Sequence, residues 1–252
     1  MAWALITGAS SGIGREIARI LSDKGYDLIL AARRTDRLNI LKETLKTEAE
    51  IVGIDLASEE NCISLYEKCK NKDVEIVVNN AGFGSFGEFT DAALDKDLEM
   101  ISVNIKAVHI LTKLFIKDFR SRNKGRILNV ASAAGFMPSG PLLATYYATK
   151  AYVLTLTESI AKELKMSGSG VTVSALCPGP VKTEFDSVAG VEFGGAGMDA
   201  KKVAKIAVSG MFKGKTVIVP GALIKCGRVL VRLLPDSATA AFAYKFQKSK
   251  KK

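Results

Sequence analysis

Two side chains of one predicted helix have the types and spacing for proton transfer to a carbonyl oxygen. Tyr146 and Lys150 lie four residues apart, so they share a face of the helix predicted to begin near Thr145. A free phenol, with a pKa of about 10, is a poor acid or base at neutral pH, and a neighbouring ammonium favours the phenolate. Beside a nicotinamide, this pair could exchange a proton with a carbonyl oxygen that Ser132 holds, while a hydride moves to the carbon. Tyr147 is adjacent, but only Tyr146 has the four-residue spacing to Lys150. Taken alone, this spacing also fits a coincidence, which is the alternative interpretation.

A glycine-rich turn near the start of the chain predicts a site for the diphosphate of a dinucleotide. The stretch Thr7-Gly8-Ala9-Ser10-Ser11-Gly12-Ile13-Gly14 follows an apolar run that is typical of a buried strand, and it precedes a helical pattern. Glycine permits the tight turn and the close approach of a diphosphate to the backbone. The free N–H groups of the helix's first turn then point at the anion. An ordinary strand-to-helix turn is the alternative interpretation of these glycines.

The same turn also fits the nucleophile elbow of serine hydrolases. Gly8-Ala9-Ser10-Ser11-Gly12 matches G-x-S-x-G, a pattern that needs a histidine further along the chain. The only histidine is His109, within an apolar helical run that is more typical of a core or interface residue. A hydrolase therefore stays a remote alternative.

Arginines stand where a dinucleotide-binding fold places the residue that contacts the adenosine ribose. About 20 residues after Gly14 the predicted second strand ends at Arg33 and Arg34, and no acid occupies that strand end. An acid there binds the ribose 2′-hydroxyl, whereas a basic residue binds a 2′-phosphate. Together with Arg15, these arginines predict NADP (NADPH) as the cofactor, with NAD less favoured. Alternatively, these arginines are solvent-exposed charges of a loop and bind no cofactor.

Strand-like and helical segments alternate along the chain, so the first 220 residues are predicted to form one domain. The predicted strands are 3–6, 26–32, 51–54, 75–78, 125–131, 171–176 and 216–219. These runs are apolar throughout, which is typical of a parallel sheet covered on both faces. The expected fold is α/β, a doubly wound, mostly parallel seven-stranded Rossmann sheet with helices on both faces. Ligands of such sheets bind beyond the carboxyl ends of the strands.

Together, these motifs resemble the short-chain dehydrogenase/reductase family over nearly the whole chain. The matching residues are Thr7-Gly8-x-x-x-Gly12-x-Gly14, Asn79-Asn80-Ala81-Gly82, Asn104, Ser132, Tyr146-x-x-x-Lys150, and Pro178-Gly179 with Val181 and Thr183. The resemblance implies a Rossmann domain that interconverts a carbonyl and an alcohol with NAD(H) or NADP(H). It implies Tyr146 as acid/base, Lys150 as the group that lowers its pKa and binds the nicotinamide ribose, and Ser132 as the residue that orients the substrate.

The resemblance extends this candidate site. It implies that Asn104 holds a water linking Lys150 to solvent, and that Asp55 lies near the adenine. The predicted cofactor-binding residues are Thr7, Gly8, Ser10, Ser11, Gly12, Ile13, Gly14, Arg15, Arg33, Arg34, Asp55, Asn80, Ala81, Gly82, Tyr146, Lys150, Pro178, Gly179, Val181 and Thr183. The chain beyond residue 221 resembles a subgroup with extra C-terminal helices, in which hydroxysteroid and ketoacyl substrates occur. An apolar ketone is therefore the expected substrate class.

The composition of the chain bears on whether it is a soluble, membrane, secreted or metal-binding protein. A chain of 252 residues with 48% hydrophobic and 25% charged residues is typical of a soluble globular protein. No apolar run approaches the roughly 20 residues of a membrane span, and Met1 leads directly into the first strand, so no signal peptide is expected. Cys62, Cys69, Cys177 and Cys226 show no metal-binding spacing. They predict reduced thiols in a cytoplasmic protein and no metal site.

The net charge of +10 is concentrated at the C-terminus. Residues 221–252 carry eight basic side chains against Asp236, which gives +7 there and leaves +3 for the body, so nucleic acid is not an expected partner. Residues 221–252 are predicted to form a basic amphipathic helical extension packed on the body or on another subunit. A peripheral anchor lying in a membrane surface is the alternative.

The leading hypothesis is an NADP(H)-dependent oxidoreductase acting on a small-molecule ketone, aldehyde or alcohol. A catalytically silent NADP-binding sensor or scaffold is the alternative from another class, and the intact Asn104, Ser132, Tyr146 and Lys150 argue against it. The resemblance to the short-chain dehydrogenase/reductase family also implies a homodimer or homotetramer joined through the helices near 98–120 and 146–165. The glycine-rich residues 182–198 are predicted to form a mobile flap over the substrate.

Overall fold

A seven-stranded parallel sheet brings the carboxyl ends of its strands to one edge. The computed structural model describes residues 1–190, 197–231 and 233–249, apart from the Asp186 side chain. The strands are β1 Trp3–Thr7, β2 Asp27–Ala32, β3 Ala49–Gly53, β4 Val74–Asn79, β5 Gly125–Val130, β6 Val171–Leu176, β7 Val181–Lys182, β8 Met198–Asp199 and β9 Val217–Ile218. The sheet order is β3-β2-β1-β4-β5-β6-β9, and β7 pairs only with β8. The predicted Rossmann sheet is confirmed.

Helices cover both faces of this sheet. They are α1 Gly12–Asp23, α2 Thr35–Lys42, α3 Glu59–Cys69, α4 Leu94–Ile101, a π-helix Ser102–Ala107, α5 Val108–Ser121, a 3₁₀ turn Ala133–Phe136, α6 Ala144–Met166, α7 Phe185–Ala189, α8 Ala200–Phe212, α9 Ala222–Val231 and α10 Asp236–Lys248. Ile6 packs with Ile17 of α1 and Val208 of α8, whereas the adjacent Leu5 packs against Leu65 of α3 and the α5 helix on the other face. Successive strand residues thus enter two cores, which explains why the strands are apolar throughout.

The strand order reverses between β1 and β4. The chain runs outward from β1 through β2 to β3, then returns to pair β4 with the other side of β1. At such a reversal, the loops that follow the two strands lead away in opposite directions and leave a crevice. The glycine turn follows β1 and residues 79–82 follow β4, so the sequence motifs meet at this crevice.

A buried polar network ties the sheet to the helices beneath the crevice. Asn79 donates to Thr112 (3.0 Å) and to Asn129 (2.9 Å), and Asn129 donates to Thr157 (3.0 Å). These bonds join β4, β5, α5 and α6, which carry or precede the candidate catalytic residues. Because a buried amide without partners is costly, the network favours one relative placement of these four elements.

Three predicted elements differ in extent. The second helix ends at Lys42 rather than near residue 48, because the Ser22 hydroxyl accepts hydrogen bonds from the backbone N–H groups of Lys46 and Thr47 and pulls the chain out of the helix. The last strand of the sheet keeps only two residues of ladder, at Val217–Ile218. The long helix predicted over 91–121 begins at Leu94 and contains a π-helical turn in its middle.

Candidate active site

The glycine turn ends in an open helix N-terminus. Gly8 and Gly12 have φ angles of +64° and +56°, in the left-handed region that favours glycine. A Cβ on Gly14 would lie 2.4 Å from Nδ2 of Asn80, so α1 starts directly against the end of β4. Ser11 makes no side-chain capping bond to α1 within the described chain. The first N–H groups of α1 can therefore receive an anion.

Thr7 and Asn80 connect the ends of β1 and β4. The Thr7 hydroxyl accepts from the backbone N–H groups of Asn80 (3.0 Å) and Ala81 (3.1 Å). In return, the Asn80 amide donates to the carbonyls of Thr7 (3.0 Å) and Gly8 (3.1 Å). Both residues therefore fix the end of β1 against the end of β4, and this structural role does not depend on a bound ligand.

Lys150 is a buried ammonium whose hydrogen bond goes to the sheet. Its Nζ donates to the Val130 carbonyl at 2.9 Å, and only 5% of the residue is exposed. Burial lowers its pKa from 10.5 to about 8. The Nζ atom lies 5.8 Å from the Tyr146 ring centroid, so the two residues share a helix face as their spacing predicted.

Tyr146 meets Ser132 at the mouth of the crevice. Burial raises the pKa of Tyr146 to about 12, and a hydrogen bond with Ser132 opposes that shift. The direction of this pKa shift is opposite to the one expected from Lys150, because loss of solvent around the phenol is the largest cause. At neutral pH the phenol therefore keeps its proton and can donate it.

Ser132 owes its position to two backbone contacts. Its hydroxyl caps the 3₁₀ turn by accepting from the N–H of Ala134 at 3.1 Å. The next residue, Ala133, donates to the Pro178 carbonyl at 2.8 Å, which fixes the loop after β5 against the loop after β6. A Cβ on Gly135 would lie 2.7 Å from the Lys150 carbonyl, so the turn packs closely on α6.

Tyr147 has a different environment from Tyr146. Its ring lies against Gly140, where a Cβ would come within 2.0 Å of the ring. Its hydroxyl accepts from Gln247 of α10 at 2.7 Å. Tyr146 instead contacts Ser132 and the ring of Phe185, with ring centroids 5.3 Å apart. These contacts agree with the helix spacing that favoured Tyr146.

Asn104 lies in the π-helix and is fully buried. Its side chain accepts from the Phe83 N–H (3.1 Å) and donates to the Phe83 carbonyl (2.9 Å) and the Thr149 hydroxyl (3.0 Å). A Cβ on Gly82 would lie 2.8 Å from the Asn104 Oδ1 and 3.3 Å from the Lys150 Nζ. Asn104 therefore joins the loop after β4 to α6 beside the buried ammonium.

The arginines predicted to bind a 2′-phosphate occupy different positions. Arg34 faces the glycine turn and donates to the hydroxyls of Ser10 (3.2 Å) and Ser11 (3.0 Å). Arg33 points to the other side of the strand end and pairs with Glu99 at 2.9 Å. Arg15 pairs with its neighbour Glu16 at 3.3 Å and does not join them. Of these three arginines, Arg34 is the one whose guanidinium bonds side chains of the turn in the described chain.

The remaining predicted residues line the edge of the crevice. Asp55 follows β3 and is exposed, and it accepts from the Ala57 N–H at 3.1 Å. Val181 belongs to β7 and pairs with Met198. The methyl group of Thr183 lies against Gly12, where an added Cβ would come within 3.0 Å of it.

Two residues that contribute to the site were missed by sequence reasoning: Thr149 bonds Asn104, and Arg37 pairs with Glu184 beside Arg34. Phe185, which covers the Tyr146 ring, belongs to the predicted flap. Thr149 lies one residue before Lys150 and carried no signal of its own. The predicted flap at 182–198 is described only in part, because residues 191–196 lie outside the described chain.

Comparison with known proteins gives the family. The sequence pattern of the family described as short chain dehydrogenase matches residues 2–191. The chain belongs to the short-chain dehydrogenase/reductase family. An uncharacterized oxidoreductase of Staphylococcus epidermidis is 35% identical over 193 residues, covering 76% of this chain and 82% of the relative. The 3-oxoacyl-(acyl-carrier-protein) reductase FabG of Rickettsia prowazekii is 37% identical over 183 residues, covering 72% and 73%.

A solved structure agrees with this membership. The short-chain dehydrogenase from Sphingobium yanoikuyae in complex with NADPH superposes with a TM-score of 0.81 at 28% identity, covering 93% of this chain and 97% of that chain. The crevice of the present chain fits a nicotinamide dinucleotide, since Gly8 and Gly12 form the tight turn at positive φ and the N-terminus of α1 is open. Membership in this oxidoreductase family also argues against the serine hydrolase considered from the sequence. The His109 ring contacts Tyr152, with Nδ1 2.7 Å from the hydroxyl, and not the serines of the turn.

Two other properties were searched in the described chain. No helix there combines the length and apolar character needed to cross a bilayer. No three histidine, cysteine or acidic side chains there cluster in a way that could hold a metal ion.

Proposed function

We propose that this chain is an NADP(H)-preferring enzyme that interconverts a ketone or aldehyde and an alcohol. The observation that carries the proposal is that Ser132, Tyr146 and Lys150 lie together beside Gly82, in the loop that follows β4 at the crevice. This convergence supports Tyr146 as a proton donor to a carbonyl that is reduced by a bound nicotinamide.

Each of these side chains has a distinct part in the reduction. Bound NADPH supplies the hydride. Tyr146, protonated at neutral pH, donates a proton to the developing alkoxide oxygen, and the Ser132 hydroxyl orients that oxygen. The Lys150 ammonium lies 5.8 Å from the Tyr146 ring centroid and would hold a ribose hydroxyl of the bound cofactor, and Asn104 holds the adjoining loop in place.

The preference for NADP(H) rests on Arg34. Its guanidinium lies over the hydroxyls of Ser10 and Ser11, at the start of the turn that would bind the diphosphate. β2 ends at Ala32 without an acid to accept a ribose hydroxyl. Arg34→Ala should weaken NADPH binding about ten- to a hundredfold and leave NADH nearly unchanged. Equal losses for both cofactors in a fluorescence titration would contradict this preference.

An apolar substrate such as a ketoacyl compound or a hydroxysteroid fits the surroundings of Tyr146. The Phe185 ring covers Tyr146 and approaches Gly84, where a Cβ would lie 2.9 Å from it. The Rickettsia relative is named for reduction of a 3-oxoacyl group, which is an apolar ketone of this kind.

Turnover separates the enzyme from the silent sensor or scaffold. The full chain with NADPH and a panel of fatty-acyl, steroid and small ketones should show loss of absorbance at 340 nm. Tyr146→Phe should lower kcat by at least about 100-fold while NADPH still binds. Tyr147→Phe is the matched control and should have only a small effect on kcat. A dead Tyr147→Phe variant, or binding without turnover of any ketone, would refute the assignment.

Assembly and location are parts of the same proposal. Leu94 and Leu98 of α4 and Tyr152 of α6 are exposed large side chains on the helices expected to join subunits. A homodimer or homotetramer through this face should appear in analytical ultracentrifugation, and Leu98→Glu should dissociate it. A cytoplasmic location remains a prediction for cell fractionation.

A further inference from the structure

The arginine pair beside the glycine turn already holds an anion from this chain. Arg34 donates to one carboxylate oxygen of Glu184 at 2.8 Å, and Arg37 pairs with the other oxygen. Glu184 comes from the loop after β7, about 150 residues along the chain from both arginines. One carboxylate thus bridges two guanidinium groups. The spacing of these residues along the chain does not predict the contact.

This carboxylate lies on the arginine that also contacts the glycine turn. The same Arg34 guanidinium that holds Glu184 also contacts Ser10 and Ser11. Thr183, the residue before Glu184, has its methyl group against Gly12 of the turn. The acid is therefore held between the turn and the arginines.

The segment that carries Glu184 also covers the catalytic tyrosine. We name residues 183–189 the covering segment. Its Phe185 ring lies 5.3 Å from that of Tyr146, and its Ala189 carbonyl accepts from the Phe86 N–H at 3.0 Å. One short segment thus connects the arginine pair to the mouth of the site.

The two ion pairs are of a kind that a phosphate can displace. The Arg34, Arg37 and Glu184 side chains are all about two-fifths exposed, and solvent-exposed pairs of single charges are weak. A phosphate carries more charge and more acceptor oxygens than a carboxylate, and it matches the guanidinium fork equally well. Both arginines lower the pKa of Glu184, so it is ionised at neutral pH.

We propose that Glu184 is a specificity-determining residue that occupies, in the free protein, the position in which Arg34 and Arg37 bind the 2′-phosphate of NADP(H). The inference rests on the proposed function. A cofactor with a 2′-phosphate displaces the carboxylate and frees the covering segment from the arginines, whereas NADH leaves both pairs in place. Glu184 therefore lowers NADPH affinity, and Arg37 is a second phosphate ligand.

The test measures binding to the full chain by calorimetry, with NADPH, NADH and 2′,5′-ADP as probes. Glu184→Gln removes the competing charge and should tighten NADPH and 2′,5′-ADP about three- to tenfold, with less than about twofold change for NADH. Glu67→Gln is the matched control, because Glu67 is an exposed acid of α3 paired with Lys70 and the change in net charge is the same. It should leave all three affinities within about twofold.

A second variant isolates Arg37. In the Glu184→Gln background, Arg37 has lost its carboxylate partner, so Arg37→Ala reports on the phosphate alone. It should weaken NADPH and 2′,5′-ADP about tenfold and spare NADH.

Other outcomes would overturn the inference on Glu184, the proposed function, or both. If Glu184→Gln leaves NADPH binding unchanged, weakens it, or tightens NADH equally, then Glu184 does not occupy the phosphate position. If the wild-type chain binds NADPH with the expected effects of the variants but reduces no ketone, the proposed function fails and the inference on Glu184 survives. A wild-type chain that binds neither NADPH nor 2′,5′-ADP overturns both.

Discussion

Lys150 is required for the proposed chemistry, yet its burial is expected to destabilise the fold. Its side chain is almost fully enclosed, and within the described chain its ammonium donates a hydrogen bond to the Val130 carbonyl. Replacing it with methionine, which has a similar length and no charge, should abolish turnover and raise the free energy of unfolding at neutral pH.

The size of this effect follows from the pKa of Lys150. Lowering the pKa from 10.5 to about 8 corresponds to about 3.4 kcal/mol of desolvation cost at pH 7, where both folded and unfolded chains carry the proton. The methionine variant loses the charged hydrogen bond to Val130, worth about 1.5–3 kcal/mol. The expected net stabilisation at pH 7 is therefore about 0.5–2 kcal/mol.

The pH dependence gives the sharper signature. A lowered lysine pKa means that the folded chain binds fewer protons than the unfolded chain between about pH 8 and 10.5. Wild-type stability should therefore rise with pH in that window through this group, while the variant lacks the contribution. The advantage of Lys150→Met should shrink by about 2 kcal/mol between pH 7 and pH 9.5.

Urea denaturation at both pH values measures this difference directly. Lys162→Met on the same helix is the matched control, since Lys162 is exposed and its replacement should give the same small effect at pH 7 and pH 9.5. A Lys150→Met variant whose stability difference from wild type does not change with pH would refute the desolvation argument.

Two further changes test other contacts. Asn104→Ala should lower the free energy of unfolding by about 2–3 kcal/mol and reduce kcat, because the Phe83 backbone and Thr149 lose their partner; unchanged urea midpoints would contradict this. Truncation after Gly221 should lower Tm, because Gln247 bonds Tyr147 in the body. Salt-sensitive binding of the full chain to anionic vesicles that disappears on truncation would instead favour a membrane anchor.

The elements that sequence reasoning located are those whose signals are local. The glycine turn, the Tyr146–Lys150 spacing and the apolar strands are each complete within a short stretch, and their placement agrees with the structure. The direction of the Tyr146 pKa shift was wrong, because it depends on how much solvent the fold removes from the phenol. Sequence spacing gives the neighbours of a group but not the extent of its burial.

Other features depend on contacts that no local pattern encodes. Glu184 meets Arg34 and Arg37 only because β2 and the loop after β7 end at the same edge of the sheet. Similarly, α2 ends early because of Ser22, a residue on α1. Such pairs follow from the topology of the sheet, which residue types and spacings along the chain do not give.

The π-helix at Ser102–Ala107 has a consequence for which changes of length the chain tolerates. A π-turn holds one residue more than an α-turn, and each residue of an α-helix turns the chain by about 100°. Deleting one residue there would restore a regular helix and leave α4 and α5 in nearly the same phase, because the wider π-turn absorbs the extra residue, but it would move Asn104 away from Phe83 and Thr149. We therefore expect a one-residue deletion in this π-helix to lower kcat through the displacement of Asn104 while α4 keeps its packing, which steady-state kinetics and circular dichroism of the deletion variant would check.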